Sequence, residues 1–135
     1  MIIIQEEDFA FEPYVERLRS ETTGATVMFI GSVKTPVDGV DVEVLELEAY
    51  REMAQRQLES LEARAREKFG LEGVVVVHRI GTLKVKETIV LVAVSAYERD
   101  RAFAGARYIL EKLKSEVPIF KKEHAKDTTY WHGDR

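Results

Sequence analysis

Two continuous apolar runs, Val74–Val77 and Thr88–Ala96, constrain the fold of this chain more than any other feature. A strand with one face in water alternates apolar and polar residues, whereas an unbroken apolar strand needs cover on both faces. We therefore expect both runs to be central strands that helices cover on two sides.

Two amphipathic stretches can supply that cover. In the first, apolar residues between Met53 and Phe69 recur at a spacing near 3.6, and Gly70 follows as a typical helix end. The second stretch begins near Asp100 and carries apolar residues along one face. It should end at Val117-Pro118, because the residue before a proline avoids the α region.

The other segments predict one further helix and several strands. A mixture of hairpins and crossovers in this order favours an α+β fold, with helices packed on a mixed or antiparallel sheet in a single domain over residues 1–135. In chain order we expect the strand Met1–Gln5, the helix Phe9–Arg19 with Asp8 at its start, the strand Ala25–Val33, the loop Lys34–Gly39, the strand Val40–Glu48 and a short edge strand at Ile119-Phe120.

The 135 residues include no cysteine, which excludes a thiol nucleophile, a thiolate zinc site and a disulfide framework. Any sulfur chemistry must therefore use sulfur brought by another molecule. The histidines lack metal-ligand spacing and the glycines form no phosphate-binding motif, so we predict neither a metal nor a nucleotide cofactor. Acidic residues directly after Met1–Ile4, and the lack of a long apolar run, predict a cytoplasmic protein.

The charge is distributed unevenly along the chain. The formal net charge is −4, which argues against a general nucleic-acid binder. Residues 1–70 carry 8 Lys and Arg against 15 Asp and Glu, whereas residues 101–135 carry 8 against 5. This asymmetry is expected when one local site attracts an anion, although a bland basic tail has the same composition.

Lys114 and Lys121 are the strongest catalytic candidates. Pro118 separates them, and a chain reversal there would bring both ammonium groups to one pocket. Two cations held close favour a neutral amine, which a general base or a covalent nucleophile requires. The alternative is structural, because a lysine in the last helical turn complements the helix dipole and lysines on an edge strand deter aggregation.

His78 stands at the end of an apolar strand and also permits two interpretations. A histidine there can act as a general base. No acid or serine stands beside it in the sequence, so we favour a hydrogen-bonded structural residue.

Five motifs in order resemble the large, catalytic subunit of molybdopterin synthase, and the similarity extends from about Phe9 to Arg135. HRIG followed at this distance by the lysine-rich motif is the most specific part. The motifs are GSVK at Gly31–Lys34, LELEAY at Leu45–Tyr50, HRIG at His78–Gly81, VSAYERDRAF at Val94–Phe103 and KLKSEVPIFKKE at Lys112–Glu123.

The resemblance implies an α/β hammerhead-type fold and a homodimer that binds a small ubiquitin-like sulfur-carrier subunit at each end, giving a heterotetramer. It also implies a reaction. Two sulfurs pass from the carrier's C-terminal Gly-Gly thiocarboxylate to cyclic pyranopterin monophosphate, which forms the dithiolene of molybdopterin. The alternative is a non-catalytic homodimer that only docks the carrier.

The resemblance implies the site residues as well. Lys114 and Lys121 match the family's two catalytic lysines, and Arg135 matches an arginine that reaches the neighbouring subunit's pocket. Lys34 replaces the usual arginine, and Glu98 stands where the family often has histidine. The substrate-binding positions are Ser32, Val33, Lys34, Glu98, Arg99, Lys122, Glu123 and Arg135.

Overall fold

The structure is a computed structural model that describes residues 1–125 and the course of the strand at 129–132. Three helices and eight strands lie within these residues. In chain order they are β1 (Ile2–Gln5), α1 (Glu12–Leu18), β2 (Ala25–Ser32), β3 (Val42–Ala49), α2 (Arg51–Phe69), β4 (Gly73–Arg79), β5 (Gly81–Lys84), β6 (Thr88–Ala96), α3 (Arg99–Glu116), β7 (Ile119–Ala125) and β8 (Thr129–His132).

The described strands form two four-stranded sheets. The first sheet has the order β1-β4-β6-β2, and its β1–β4 pair is parallel whereas its other pairs are antiparallel. The second sheet has the order β5-β3-β7-β8 and is antiparallel throughout. These two sheets and the helices packed on them confirm the predicted α+β class.

The two apolar runs form β4 and β6, and both faces of these strands are buried. On one face, Val74, Val76, Val92 and Val94 join the main core, which α2 and α3 complete. On the other face, Val75, Val77, Leu91 and Ala93 pack with Leu18 of α1 and with the aromatic rings of Phe9, Phe11 and Tyr14. The two-sided cover predicted from the sequence is therefore confirmed.

Both predicted helix ends are also confirmed. Gly70 caps α2 with a left-handed φ of 63°, and its backbone N–H donates to the carbonyl of Arg66. At the end of α3, Val117 is extended ahead of Pro118. Only α1 is shorter than predicted, because the Asp8 carboxylate accepts the N–H of Phe9 instead of capping a helix, which begins at Glu12.

The prediction of a short edge strand at Ile119-Phe120 was wrong. β7 has seven residues and lies inside the second sheet, between β3 and β8. Four polar residues, Lys121–His124, follow Phe120 without the alternation of apolar and polar residues that indicates a strand. The sequence analysis also missed β5, a four-residue strand that directly follows β4.

The close approach of two chain segments at Gly24 gives a stability test. The N–H of Gly24 donates to the carbonyl of Ala96, and a Cβ at this position would overlap the carbonyl oxygen of Tyr97. We expect Gly24→Ala to lower the free energy of unfolding by about 1–3 kcal/mol, because backbone must move. Urea denaturation measures this loss. Thr26→Ala, at an exposed position on β2, should change the same quantity by less than about 0.5 kcal/mol.

Candidate functional site

A cavity of about 200 Å³ lies where the end of β2 meets the second sheet. Three chain segments that are distant in sequence contribute its walls. The lining residues are Ser32, Val33, Lys34, Pro36, Val37, Asp38, Val42, Leu45, Ile89, Lys121 and Glu123.

The alternation of β7 carries two charged side chains into this cavity. Lys121 pairs with Leu47 across the strands, and Glu123 pairs with Leu45. Directly opposite residues share one face of a sheet, and both leucines are buried. Lys121 and Glu123 therefore lie on the inner face of the second sheet, and Glu123 is only 3% exposed.

The loop that follows β2 closes another side of the cavity. Val33 is buried, and Lys34 follows it at an exposed position. The hydroxyl of Thr35 accepts the N–H of Val42 at 2.8 Å, and Val37 and Val40 exchange two backbone hydrogen bonds. These contacts fold the loop back on itself, so that Lys34 and Lys121 line one space.

Lys114 lines a different cavity. This groove lies between α3 and β2, and its walls include Met28, Phe29, Phe103 and Leu110. The structure therefore does not place Lys114 and Lys121 in one cavity of the chain. The two cavities share β2, because Ser32 borders the first and Val27–Phe29 border the groove.

Arg99 and Glu98 lie far from Lys114. Arg99 is the first residue of α3 and Lys114 is in its last turn, so about 22 Å of helix separates them. The carboxylate of Glu98 forms an ion pair with Arg101 at 3.3 Å. Within this one chain, Lys34 and Arg99 are not brought to the same cavity.

Lys122 lies on the opposite face of β7 from Lys121. It pairs with Glu46 of β3, whose carboxylate accepts a hydrogen bond from Nε2 of His124 at 2.9 Å. That hydrogen bond, followed by the charge of Lys122, holds the pKa of Glu46 below its ordinary value. Arg135 lies outside the described residues.

His78 is buried, and the structure confirms it as a hydrogen-bonded residue. Its Nδ1 lies 2.8 Å from the carbonyl oxygen of Arg79, which can only accept, so Nδ1 carries the proton. Burial lowers the pKa of His78 to about 4, and the charge of Lys121 acts in the same direction. The imidazole is therefore neutral at pH 7.

Several cavity residues escaped the sequence analysis. Pro36, Val37 and Asp38 lie in a segment that composition marked only as a loop, and Ile89 was assigned only to a core strand. Lys121, Lys122, Glu123 and His124 are consecutive in the sequence, so no alternation there predicts the inward direction of Lys121 and Glu123.

Two absences can be stated for the described part of the chain. No helix there is long and apolar enough to cross a membrane. Residues 1–125 also contain no group of three or more His, Cys, Asp or Glu side chains with the geometry to hold a metal ion.

The fold and the site define an α+β protein with a small cavity that contains cationic side chains. A family model described as MoaE protein matches residues 4–116, and the chain belongs to this family. The molybdopterin synthase catalytic subunit of Pyrococcus abyssi is 36% identical over 135 residues, which cover 99% of this chain and 91% of that protein. The resemblance found in the sequence is confirmed, as is its assignment to a family of enzymes of molybdopterin synthesis.

Solved structures support the same assignment. The crystal structure of molybdopterin synthase from Staphylococcus aureus matches with a TM-score of 0.90 and 38% identity, covering 97% of this chain and 96% of that one. A complex of subunits 1 and 2 of molybdopterin-converting factor from Helicobacter pylori has a TM-score of 0.82 at 17% identity, covering 99% and 91% of the chains. This second match shows a shared fold.

The buried imidazole predicts a pH dependence of stability. Folding keeps His78 neutral down to about pH 4, whereas the unfolded chain takes up the proton near pH 6.5. The free energy of unfolding should therefore fall as the pH drops from about 6.5 to about 4, by up to about 3 kcal/mol. Carboxyl groups with lowered pKa values, such as Glu46, add their own loss at lower pH.

Urea denaturation between pH 7 and pH 4 measures this dependence. His78→Gln should remove most of the fall in that window. His124→Gln changes a histidine on the outer face of the second sheet and should retain it. An equal fall in the wild type and in His78→Gln would contradict the assignment.

Proposed function

We propose that this chain is the catalytic subunit of a molybdopterin synthase. It transfers two sulfurs from the C-terminal thiocarboxylate of a small ubiquitin-like carrier to cyclic pyranopterin monophosphate, in the cytoplasm. One observation carries the proposal: in a chain of the MoaE family, Lys34 and Lys121 line one cavity. Both reactants are anions, and the ammonium groups of Lys34 and Lys121 can bind them through charge-assisted hydrogen bonds.

The amino-acid composition agrees with a sulfur source outside this chain. The chain has no cysteine, so a carrier must bring the sulfur. A protein chain that ends in an extended tail can reach a cavity of about 200 Å³ that its folded body cannot enter. The Helicobacter pylori complex of two subunits, which shares this fold, supports a small partner subunit here.

In our proposal Lys121 orients the thiocarboxylate. Its ammonium group stabilises the negative charge that develops as the sulfur attacks the pterin side chain. Lys114 acts on the pterin side chain or on the acyl intermediate of the carrier. Lys34 and Arg99 bind the substrate phosphate through charge-assisted hydrogen bonds. Ser32, Val33 and Glu123 line the same cavity as Lys34 and Lys121.

The proposed homodimer accounts for the separation of the site residues. Arg99 and Lys114 lie at opposite ends of α3, and neither lines the cavity of Lys121 in its own chain. A second copy supplies Arg99 and Arg135 to its neighbour's cavity. Support for an interface comes from β2, an edge strand of the first sheet on which Met28, Phe29 and Ile30 are 42, 40 and 38% exposed.

The alternative function is that of a homodimer that docks the carrier without catalysis. Relatives named catalytic subunits favour the enzyme. Reconstitution with a thiocarboxylated carrier and cyclic pyranopterin monophosphate separates the two, because only the enzyme forms the dithiolene product.

The catalytic lysines give a direct prediction. Lys114→Ala and Lys121→Ala should each reduce the rate of product formation by a factor of about 100 or more. At position 114 arginine should not restore the rate, because a guanidinium group stays charged and cannot act as an amine base or nucleophile. Single-turnover assays with thiocarboxylated carrier measure the rate. Lys112→Ala, two residues from Lys114 on α3, is the matched control and should leave it nearly unchanged.

The proposed dimer predicts a second outcome. Light scattering should give about twice the chain mass of 15.4 kDa, and Met28→Lys or Ile30→Lys should shift the particle toward that of a single chain. Desolvating a new ammonium group at the interface opposes association. Met53→Lys places the same charge at an exposed site on α2 and should leave the mass unchanged. A monomer that forms product at full rate would refute the shared site.

A further inference from the structure

Arg79 is a buried arginine whose contacts connect three separate chain segments. Its side chain is only 8% exposed. Nε donates to the carbonyl of Glu6, ahead of α1, at 2.9 Å. Nη1 donates to the Glu87 carboxylate at 3.1 Å and to the carbonyl of Thr88 at 3.3 Å. Arg79 therefore joins the end of β4 to the turn between β5 and β6.

Glu87 in turn determines the conformation of that turn. One carboxylate oxygen accepts the N–H of Lys84 at 2.6 Å, while the other accepts from Arg79. The backbone N–H of Glu87 also donates to the carbonyl of Lys84, and Lys86 adopts a left-handed φ of 83°. An L residue rarely takes this φ unless its surroundings impose it.

The same turn holds the chain at the cavity. Val33 donates its N–H to the carbonyl of Glu87 at 2.9 Å and accepts the N–H of Lys86 at 2.8 Å. Both backbone groups of Val33 are thus bound to the turn, directly before Lys34. The register of β2 against β6 shifts between Gly31 and Ser32, so regular strand pairing ends just before this point.

We propose that Arg79 is a positioning residue for the substrate-binding segment, acting through Glu87 and the β5–β6 turn on Val33 and Lys34. This inference rests on the proposed function for the identity of the substrate. Arg79 touches neither cavity. Its role is to keep the turn in the one arrangement that holds Lys34 at the cavity wall.

Two independent measurements test the proposal. Hydrogen exchange reports the amides of Val33 and Lys86, and calorimetry gives the Kd of cyclic pyranopterin monophosphate and of the carrier. In Arg79→Met both amides should exchange at least tenfold faster, and the precursor Kd should rise about tenfold while the carrier Kd stays within twofold. Arg79→Lys should show smaller increases in amide exchange and in precursor Kd than Arg79→Met, because it retains a cation near Glu87.

Glu87→Gln provides a second variant in case Arg79→Met does not fold. It keeps the size of the side chain and an acceptor for the Lys84 amide but loses the charge that Arg79 binds. We expect the same direction of change in exchange and in precursor Kd. Glu116→Gln is the matched control, because it breaks the 2.6 Å pair with Arg64 between α2 and α3, away from the cavity. Glu116→Gln should change neither the exchange rates of the Val33 and Lys86 amides nor the precursor Kd.

Wild-type exchange at Val33 and Lys86 in folded Arg79 and Glu87 variants would overturn the proposal. Faster exchange spread evenly over all strands would also overturn it, since that is loss of global stability. A wild-type protein that forms no dithiolene would refute the proposed function alone, because the exchange reading does not depend on turnover.

Discussion

β4 and β6 have no polar face, and their burial on both sides organises the rest of the structure. Each side chain that leaves water there stabilises the fold, but only if other elements cover it. α1 covers one face of the first sheet, and α2 and α3 cover the other. Because α3 must cross that face and then stop at Val117, the chain leaves the first sheet and β7 begins in the second. The cavity forms where the end of β2 approaches β7.

Three buried ionisable side chains, His78, Arg79 and Glu123, lie on β4 and β7. Glu123 is buried on the inner face of β7, and Lys121 lies two residues before it on the same face. Arg79 and His78, at the end of β4, are the buried polar residues on the other side of the junction. Burying a charge is costly without partners. The guanidinium of Arg79 has a carboxylate and backbone carbonyls around it, and His78 is kept neutral.

Elements with a regular burial pattern could be predicted from the sequence. The unbroken apolar runs predicted β4 and β6, and the spacing of apolar residues near 3.6 positions before Gly70 predicted α2. β7 was mostly missed because its inward positions after Ile119 are Lys121 and Glu123, which composition marks as polar surface. Their inward direction depends on pairing with Leu45 and Leu47, residues more than seventy positions earlier.

The sequence by itself determined the family, the α+β class and the lack of a thiol nucleophile, since motifs, hydrophobic periods and composition can be read directly from the chain. Only the tertiary structure decided which candidate side chains share a cavity. Lys114 and Lys121 are seven residues apart, yet one ends a helix facing β2 and the other enters a strand facing Leu47. Side-chain direction across such a turn depends on strand register and on which face is buried, and contacts between distant segments determine both.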